Sequence, residues 1–476
     1  MTAPKRVLII YTGGTIGMER SPRGYVPAPG RLQQQLERMP QFHDPAFPRF
    51  TTPETEFGRR IQYHIKEFAP LLDSSNMDMS DWVRLAVDIH AHYAEYDAFV
   101  VLHGTDTMAY TASALSFALP GLTKPVIVTG SQIPLREMRN DARNNLLTAL
   151  LLAAKDPIPE VCLYFNGRLM RGNRTQKVDT AGFEAFASLN LPPLAEVGIR
   201  FDLAWQRIRP SPRAPLKLRP ITERNVAIIR LFPGISAETL GNFLRPPLRG
   251  AVLQTYGTGN MPDNRPDLLA VLREATERGV VLVNTTQCLR GAVTTDYAGG
   301  NLLDAIGVVG GADMTPEAAL TKLAYLLSRD DLRPDEVRRH LRRDLRGELT
   351  DPNSRSRFSF RDAQFVQRVA ESLAAHAGED HADEVSNALY PVLLCSAAAM
   401  GDAETLERMI ADGVDVNRPD YDGHTALQIA AREGNVEIVR LLLREGADRH
   451  RDGDAALALA EQCGHFAVAD LLRKPG

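Results

Sequence analysis

The sequence predicts an α/β protein of two parallel-sheet lobes, followed by a small all-α repeat segment. Three observations carry this. Through about residue 340, short β-branched runs end in Gly, Ser, Thr or Asn, and a helical pattern often follows. A Pro- and Arg-rich stretch at 204–220 (AWQRIRPSPRAPLKLRP) interrupts that series and divides it in two. Towards the end the pattern changes: Gly401 and Gly434 stand 33 residues apart, and so do Gly413 and Gly446.

The strands come first. Residues 6–11 (RVLIIY) lead into TGGTIG, 98–103 (AFVVLH) into GTDT, and 125–129 (PVIVT) into GSQ. Residues 226–231 (VAIIRL), 251–256 (AVLQTY) and 280–284 (VVLVN) continue the theme beyond the interruption. Apolar runs of this length suit strands buried on both faces, and their alternation with helices suits a doubly wound parallel sheet. Ligands collect at the carboxyl ends of such strands, where this chain places its small polar residues. The reading sets lobes at 1–203 and 221–358, with 204–220 as hinge or linker. A second interruption falls at 349–358 (LTDPNSRSRF). An amphipathic helix follows at 361–375 and an acidic connector at 378–387 (GEDHADEVSN), so that 359–388 joins the lobes to the repeat block at 389–476.

Composition excludes several classes. The 55 basic and 59 acidic residues nearly cancel, so bulk charge gives no support to a nucleic-acid partner. No apolar run approaches a membrane span, and the apolar part of MTAPKRVLII is short for a signal peptide. Cys162, Cys288, Cys395 and Cys463 lie far apart without CxxC or paired Cys/His spacing, which disfavours disulfides and zinc and points to a reducing cytoplasm. His90 and His92, two residues apart on a helical stretch, do not share a face for a metal.

Two strand ends carry candidate chemistry. TGGTIG (12–17) joins glycines that let a ligand approach the backbone with two threonine hydroxyls. It matches neither GxGxxG nor GxxxxGK[ST], and by itself it reads equally well as a structural turn. GTDT (104–107) sets a hydroxyl beside a carboxylate, an arrangement that also serves helix capping. Taken singly, Lys177 reads as a surface lysine, Tyr25 as a packing residue, Ser74 and Ser75 as caps of a helix starting near Met79, and His103 as a packed strand-end histidine.

Taken in order, TGGTIG, DSSNM (73–77), HGTDTM (103–108), TGSQIP (129–134) and RGNRTQK (171–177) resemble the bacterial-type L-asparaginases, most nearly the type I, cytoplasmic branch. The resemblance spans about 5–345 and includes NTTQC (284–288) and GGADMT (310–315). The repeat words, such as DGHTALQIAA (422–431), resemble ankyrin repeats: two full copies and a shorter third that acts as a cap. With GAVTTDY (291–297), they resemble the animal asparaginase–lysophospholipase proteins.

The resemblance implies hydrolysis of asparagine to aspartate and ammonia, without metal or organic cofactor. Thr15 becomes the nucleophile, and Thr105, Asp106 and Lys177 supply its proton chemistry. Tyr25, in a lid over 18–30, assists Thr15. Asp106 also binds the substrate ammonium, while Asp73, Ser74 and Ser75 bind its α-carboxylate. Thr286 and Cys288 match the effector pocket of some type I members, but Gln254 stands where those carry arginine, which removes a charged clamp. The family's sites lie at subunit contacts, so a homodimer or homotetramer is expected, with a protein partner for the repeats. Three rivals remain. A lysophospholipase lacks its usual GxSxG elbow here. A tRNA-dependent amidotransferase subunit would carry a domain before the first strand, which begins near residue 5. An ankyrin scaffold on an inactive enzyme would not need the five motif residues intact.

Overall fold

The computed structural model describes residues 3–22, 24–155, 158–212, 214–294, 298–350, 382–411, 413–420 and 423–473. It divides into two compact units, Met1–Ser354 and Arg355–Gly476. No described helix is long and apolar enough to cross a membrane.

The first lobe holds strands β1 (Lys5–Gly13), β2 (Met18–Ser21), β3 (Gly24–Pro27), β4 (Ile61–Leu72), β5 (Ala98–Leu102), β6 (Val126–Thr129), β7 (Val161–Phe165), β8 (Arg168–Arg171), β9 (Gln176–Lys177), β10 (Phe186–Ala187), β11 (Ala195–Val197) and β12 (Phe201–Leu203). Eight of them form one sheet in the order β12-β11-β8-β7-β6-β5-β1-β4. The stretch from β4 to β7 is parallel, as expected. The far edge is not: β8, β11 and β12 add antiparallel. The cause is local. Asn166 and Gly167, at φ 45° and 80°, form the two-residue turn that folds β8 back on β7.

Strand β1 explains the layering. Val7, Ile9 and Tyr11 face one apolar core, Leu8 and Ile10 the other. Helices Arg31–Glu37 and Ala142–Lys155 cover the first face; Met79–Ala91 and Met108–Ala118 cover the second. The chain steps from β1 out to β4, then back past β1 to β5. The carboxyl ends of β1 and β5 therefore flank a switch point in the winding, where such sheets open a crevice.

The second lobe is a parallel sheet of β13 (Val226–Arg230), β14 (Gly250–Thr255), β15 (Val281–Thr286) and β16 (Val309–Gly310), in that order. One of its faces is shared with the first lobe: Trp82, Ala114 and Phe117 join the core formed by helices Pro316–Leu327 and Pro334–Leu341. The Ser113 and Thr321 hydroxyls bond at 2.7 Å, and Phe117 stacks on Tyr325 at 5.8 Å. Helix Met108–Ala118 is therefore buried nearly all round.

The 204–220 stretch is not a free hinge. The amides of Lys217 and Arg219 donate to the carbonyls of Pro120 and Ala118, and Ile208 is buried. Of the second interruption, 351–358 lies outside the described residues, as does the helix expected at 361–375. Of the acidic connector, 378–381 is likewise outside, whereas 382–387 begins helix Ala382–Met400. Its Ala and Glu residues are good helix formers and run straight into an apolar segment.

In the repeat unit, helices Ala403–Ala411, Ala426–Arg432, Val436–Arg444, Arg451–Gln462 and Phe466–Arg473 pack with Ala382–Met400 around one core. Gly401, Gly413, Gly434 and Gly446 all take positive φ, 70–92°, so the 33-residue spacing marks equivalent helix ends. Thr425 and Gln428 close a capping box at the start of helix Ala426–Arg432.

Candidate active site

Three chain turns meet at the carboxyl ends of β1, β4 and β5, and glycine makes the meeting feasible. A Cβ on Gly14 would lie 2.4 Å from the Gly104 Cα, and one on Gly104 would lie 2.4 Å from the Ser74 Oγ. Gly14 sits at φ 85°, which L side chains rarely adopt. TGGTIG, DSSNM and HGTDTM are thus packed backbone to backbone. β1 and β5 pair in parallel with Tyr11 opposite Leu102, so Thr15 and Thr105 both lie just past neighbouring strand ends.

Thr15 opens a short 3₁₀ turn. Lys177 reaches the same strand ends from β9. Its Nζ lies 2.9 Å from the Thr105 Oγ1 and 2.7 Å from the Asp106 Oδ1. Thr105 in turn donates to the Gln132 Oε1 at 3.4 Å. Gln132 is fixed by its amide on both Asp141 carboxylate oxygens and by its Nε2 on the Gly182 carbonyl.

The lysine is delivered by a segment clamped to the second lobe. Lys177 pairs with Phe186 across β9 and β10. Behind it, buried Arg174 donates to both carboxylate oxygens of Asp313, at 2.8 and 3.0 Å, and to the Glu348 carbonyl. Burial alone would raise the Asp313 carboxyl, but the Arg174 and Thr350 bonds outweigh it and hold it below the ordinary carboxylate range. Gln176 donates to Glu317, whose carboxyl burial pushes up. Arg174 is the second arginine of RGNRTQK and Asp313 the aspartate of GGADMT, so two distant motifs form one buried clamp.

Ser74 is 2% exposed, and its hydroxyl accepts from the Asp106 amide at 3.3 Å. Its carbonyl accepts from Thr107. Asp73 and Ser75 are exposed, with Asp73 accepting the Ser75 amide. The two serines do not cap the helix at Met79: Asp78 does, in a capping box with Asp81, because it stands directly at the N-cap position.

Tyr25 lies on hairpin β2–β3 and is 45% exposed. Its hydroxyl donates to the Glu137 Oε1 at 3.0 Å rather than to Thr15, and that bond, with lesser effects, raises the phenol above its ordinary range. Arg136 and Arg31 both reach Glu19 on the hairpin.

His103 is fully buried. Its Nδ1 contacts the Gly104 carbonyl at 2.6 Å and its Nε2 the Thr111 hydroxyl at 2.8 Å, which accepts from the Trp82 indole. Burial depresses it to about 4, so it is neutral, with the proton on Nδ1. It packs, as expected. The Thr286 hydroxyl donates to the Gly257 carbonyl at 2.5 Å and accepts from the Cys288 amide. Both residues share one turn, but that hydroxyl is already committed to the turn itself.

Glu137, Gln132 and Asp141 were not singled out from sequence. Gln132 carried a signal, standing at the strand end in TGSQIP. Glu137 and Asp141 act across 112 and 9 residues and had none.

Comparison with known proteins matches this geometry to a family. Residues 6–209 match the family model "Asparaginase, N-terminal", 225–341 the "Glutaminase/Asparaginase C-terminal domain", and 394–476 ankyrin repeats in three copies. The chain belongs to the asparaginase family. It is 53% identical to "L-asparaginase 1" of Escherichia coli strain K12, over 73% of this chain and 98% of that protein. It is 44% identical to the mouse "60 kDa lysophospholipase", over 94% of this chain and 80% of that protein. The crystal structure of L-asparaginase I from Vibrio cholerae superposes with a TM-score of 0.66 at 50% identity, over 73% of this chain and all of that one.

Proposed function

We propose that this chain hydrolyses L-asparagine to L-aspartate and ammonia, with Thr15 as nucleophile. The observation that carries the reading is Lys177 seated on both Thr105 and Asp106 beside the Thr15 turn. A threonine hydroxyl is a weak nucleophile and needs a proton acceptor. With its amine unprotonated, Lys177 reverses the 2.9 Å bond and accepts the Thr105 proton, and Thr105 relays the proton of Thr15. The Thr15 Oγ–carbon bond forms, the carbon–nitrogen bond breaks, and the relayed proton leaves on ammonia. Water then attacks the acyl-threonine, frees aspartate and restores the hydroxyl.

Asp106, with its side chain 59% exposed, supplies the charge for the substrate's α-ammonium group. Ser75 and Asp73 stand on the exposed edge of the DSSNM turn, where backbone and hydroxyl groups receive the α-carboxylate. Ser74 is a positioning residue, since its hydroxyl holds the Asp106 amide. Tyr25 approaches Thr15 when the hairpin closes. A homo-oligomer, a protein partner for the repeats and a cytoplasmic setting belong to the same reading. The name of the mouse relative suggests an acyl-ester substrate as the alternative reading, and without a GxSxG elbow that activity would need machinery separate from the threonine site.

Steady-state ammonia release from asparagine and glutamine, beside fatty-acid release from lysophosphatidylcholine, tests the assignment. Saturable ammonia release from asparagine, lost in Thr15→Ala with the fold unchanged, is the expected result. That substitution removes a small hydroxyl near a strand end and should cost within roughly 1 kcal/mol. Wild-type-like release by Thr15→Ala would refute the nucleophile.

A further inference from the structure

Two polar atoms at the foot of the 18–30 segment are buried without a hydrogen-bond partner among the described residues. They are the Oη of fully buried Tyr11 and the Oε1 of Glu67. Most buried polar groups in folded proteins are bonded, so a pair left open in one place needs a reason. The two residues are neighbours. β1 pairs in parallel with β4, with Tyr11 directly opposite Glu67 across strands about 4.8 Å apart, and residues so paired point to the same face. The two groups are also complementary. Burial and, after it, the Glu67 charge push the Tyr11 phenol up, so it keeps its proton and can donate, while a carboxylate oxygen accepts.

Each of them bears on one end of the 18–30 segment. The Tyr11 Oη lies against Gly17, where an added Cβ would collide with it. Gly17 closes the 3₁₀ turn that Thr15 opens. The Glu67 Oε2 accepts the Gly30 amide at 2.9 Å, and Gly30, at φ 72°, is the N-cap of helix Arg31–Glu37. The flanks are fixed: Ile16 on one side, and Leu32 and Leu36 on the other, are buried in the core that holds Tyr11. Between them β3 is exposed along its whole length. A segment with anchored ends and an exposed middle moves by turning at those ends. Here both ends rest on one donor–acceptor pair.

We propose, on the asparaginase reading above, that Tyr11 and Glu67 are positioning residues for the closed state of 18–30. Closure shifts Gly30, which carries the Glu67 carboxylate with it, and the Tyr11 hydroxyl then donates to the Glu67 Oε1. A bond made in the closed state and not in the open one favours closure, and closure brings Tyr25 to Thr15.

Three measurements on the full chain test this: ammonia release from asparagine, trypsin cleavage after exposed Arg20 on the hairpin with and without aspartate, and denaturant unfolding of the ligand-free protein. In the wild type, aspartate should slow the cleavage at least about fivefold by populating the closed state. Tyr11→Phe removes a hydroxyl that has no partner in the open form, so the ligand-free midpoint should hold or rise. Yet kcat should fall at least about fivefold, and the protection by aspartate should be lost. Glu67→Gln keeps an oxygen for the Gly30 amide but weakens the acceptor, so it should act in the same direction. In the double variant kcat should fall no further than in the worse single one, because the two residues make one bond. Wild-type turnover and protection in Tyr11→Phe, a lowered ligand-free midpoint in that variant, or additive losses in the double variant would overturn the proposal. Lack of aspartate protection in an active wild type overturns it as well and leaves the asparaginase reading standing. Lack of ammonia release from the wild type removes that reading and the proposal with it.

Discussion

The Tyr25 hydroxyl donates to Glu137 at 3.0 Å, so the residue assigned to assist Thr15 is tied to a different part of the first lobe. One phenol proton cannot serve both partners. If Glu137 parks the hairpin, loosening the bond favours closure. Glu137→Gln replaces a charge-assisted acceptor with a neutral one and should leave kcat at or above wild type, while Tyr25→Phe should lower kcat at least about tenfold. Stopped-flow and steady-state turnover of the two variants decide it. A loss in Glu137→Gln as large as in Tyr25→Phe would mean that Glu137 holds Tyr25 in its working position.

Lys177 and Asp106 touch each other but are proposed to serve different steps, which kinetics can separate. Lys177→Met keeps much of the side-chain volume and removes the proton acceptor, so kcat should fall at least about tenfold with a smaller change in KM. Asp106→Asn keeps the shape and removes the charge paired with the substrate ammonium, so KM should rise by more than kcat falls. Equal effects on both constants in both variants would merge the two roles into one.

How much of this could be read from the chain depends on the range of the interaction. The strands of the parallel sheets were legible because runs such as RVLIIY and AFVVL are apolar on both faces, and the glycine spacing gave the repeats directly. The antiparallel edge was signalled by Asn166–Gly167 and passed over, because β8 is short and lacks a strong apolar run. The motif residues were legible as words, but not their physical roles. In RGNRTQK only Lys177 draws a reading from sequence, whereas Arg174 is buried on Asp313, 139 residues away. Ser74 reads as a ligand group or a cap, and its hydroxyl holds the Asp106 amide, 32 residues away. Neither pairing leaves a periodicity in the sequence.

His103 predicts a pH dependence of stability. Its folded value of about 4 lies below the ordinary 6.5 because burial disfavours the cation. Between those values the unfolded chain binds a proton that the folded chain refuses, so stability rises with pH across that window. The contribution is complete above about 6.5 and is lost as pH falls towards 4. The shift corresponds to roughly 3 kcal/mol at most. Denaturant unfolding at several pH values should show wild type losing more stability on acidification than His103→Asn, whatever the variant's stability at pH 7. Parallel curves for the two proteins would place the acid sensitivity elsewhere.

The repeat unit should be separable from the chemistry. Every described buried member of its core lies between Leu393 and Leu472. Every residue assigned to the active site, and both partners of the Arg174–Asp313 clamp, precede residue 314. Repeat arrays are stabilised mainly by contacts between neighbouring copies, so removing the whole block leaves no half-built repeat behind. A chain ending near residue 375 should therefore keep wild-type ammonia release per soluble protomer. Yield is a separate quantity: a truncation that uncovers apolar surface lowers the soluble fraction without touching turnover. Specific activity and soluble fraction must be measured together, with the assembly state checked by light scattering. Reduced yield with normal specific activity fits a repeat block that serves a partner or solubility. A soluble, normally assembled truncation that has lost turnover would show that the repeats contribute to catalysis, and the separation of labour would be wrong.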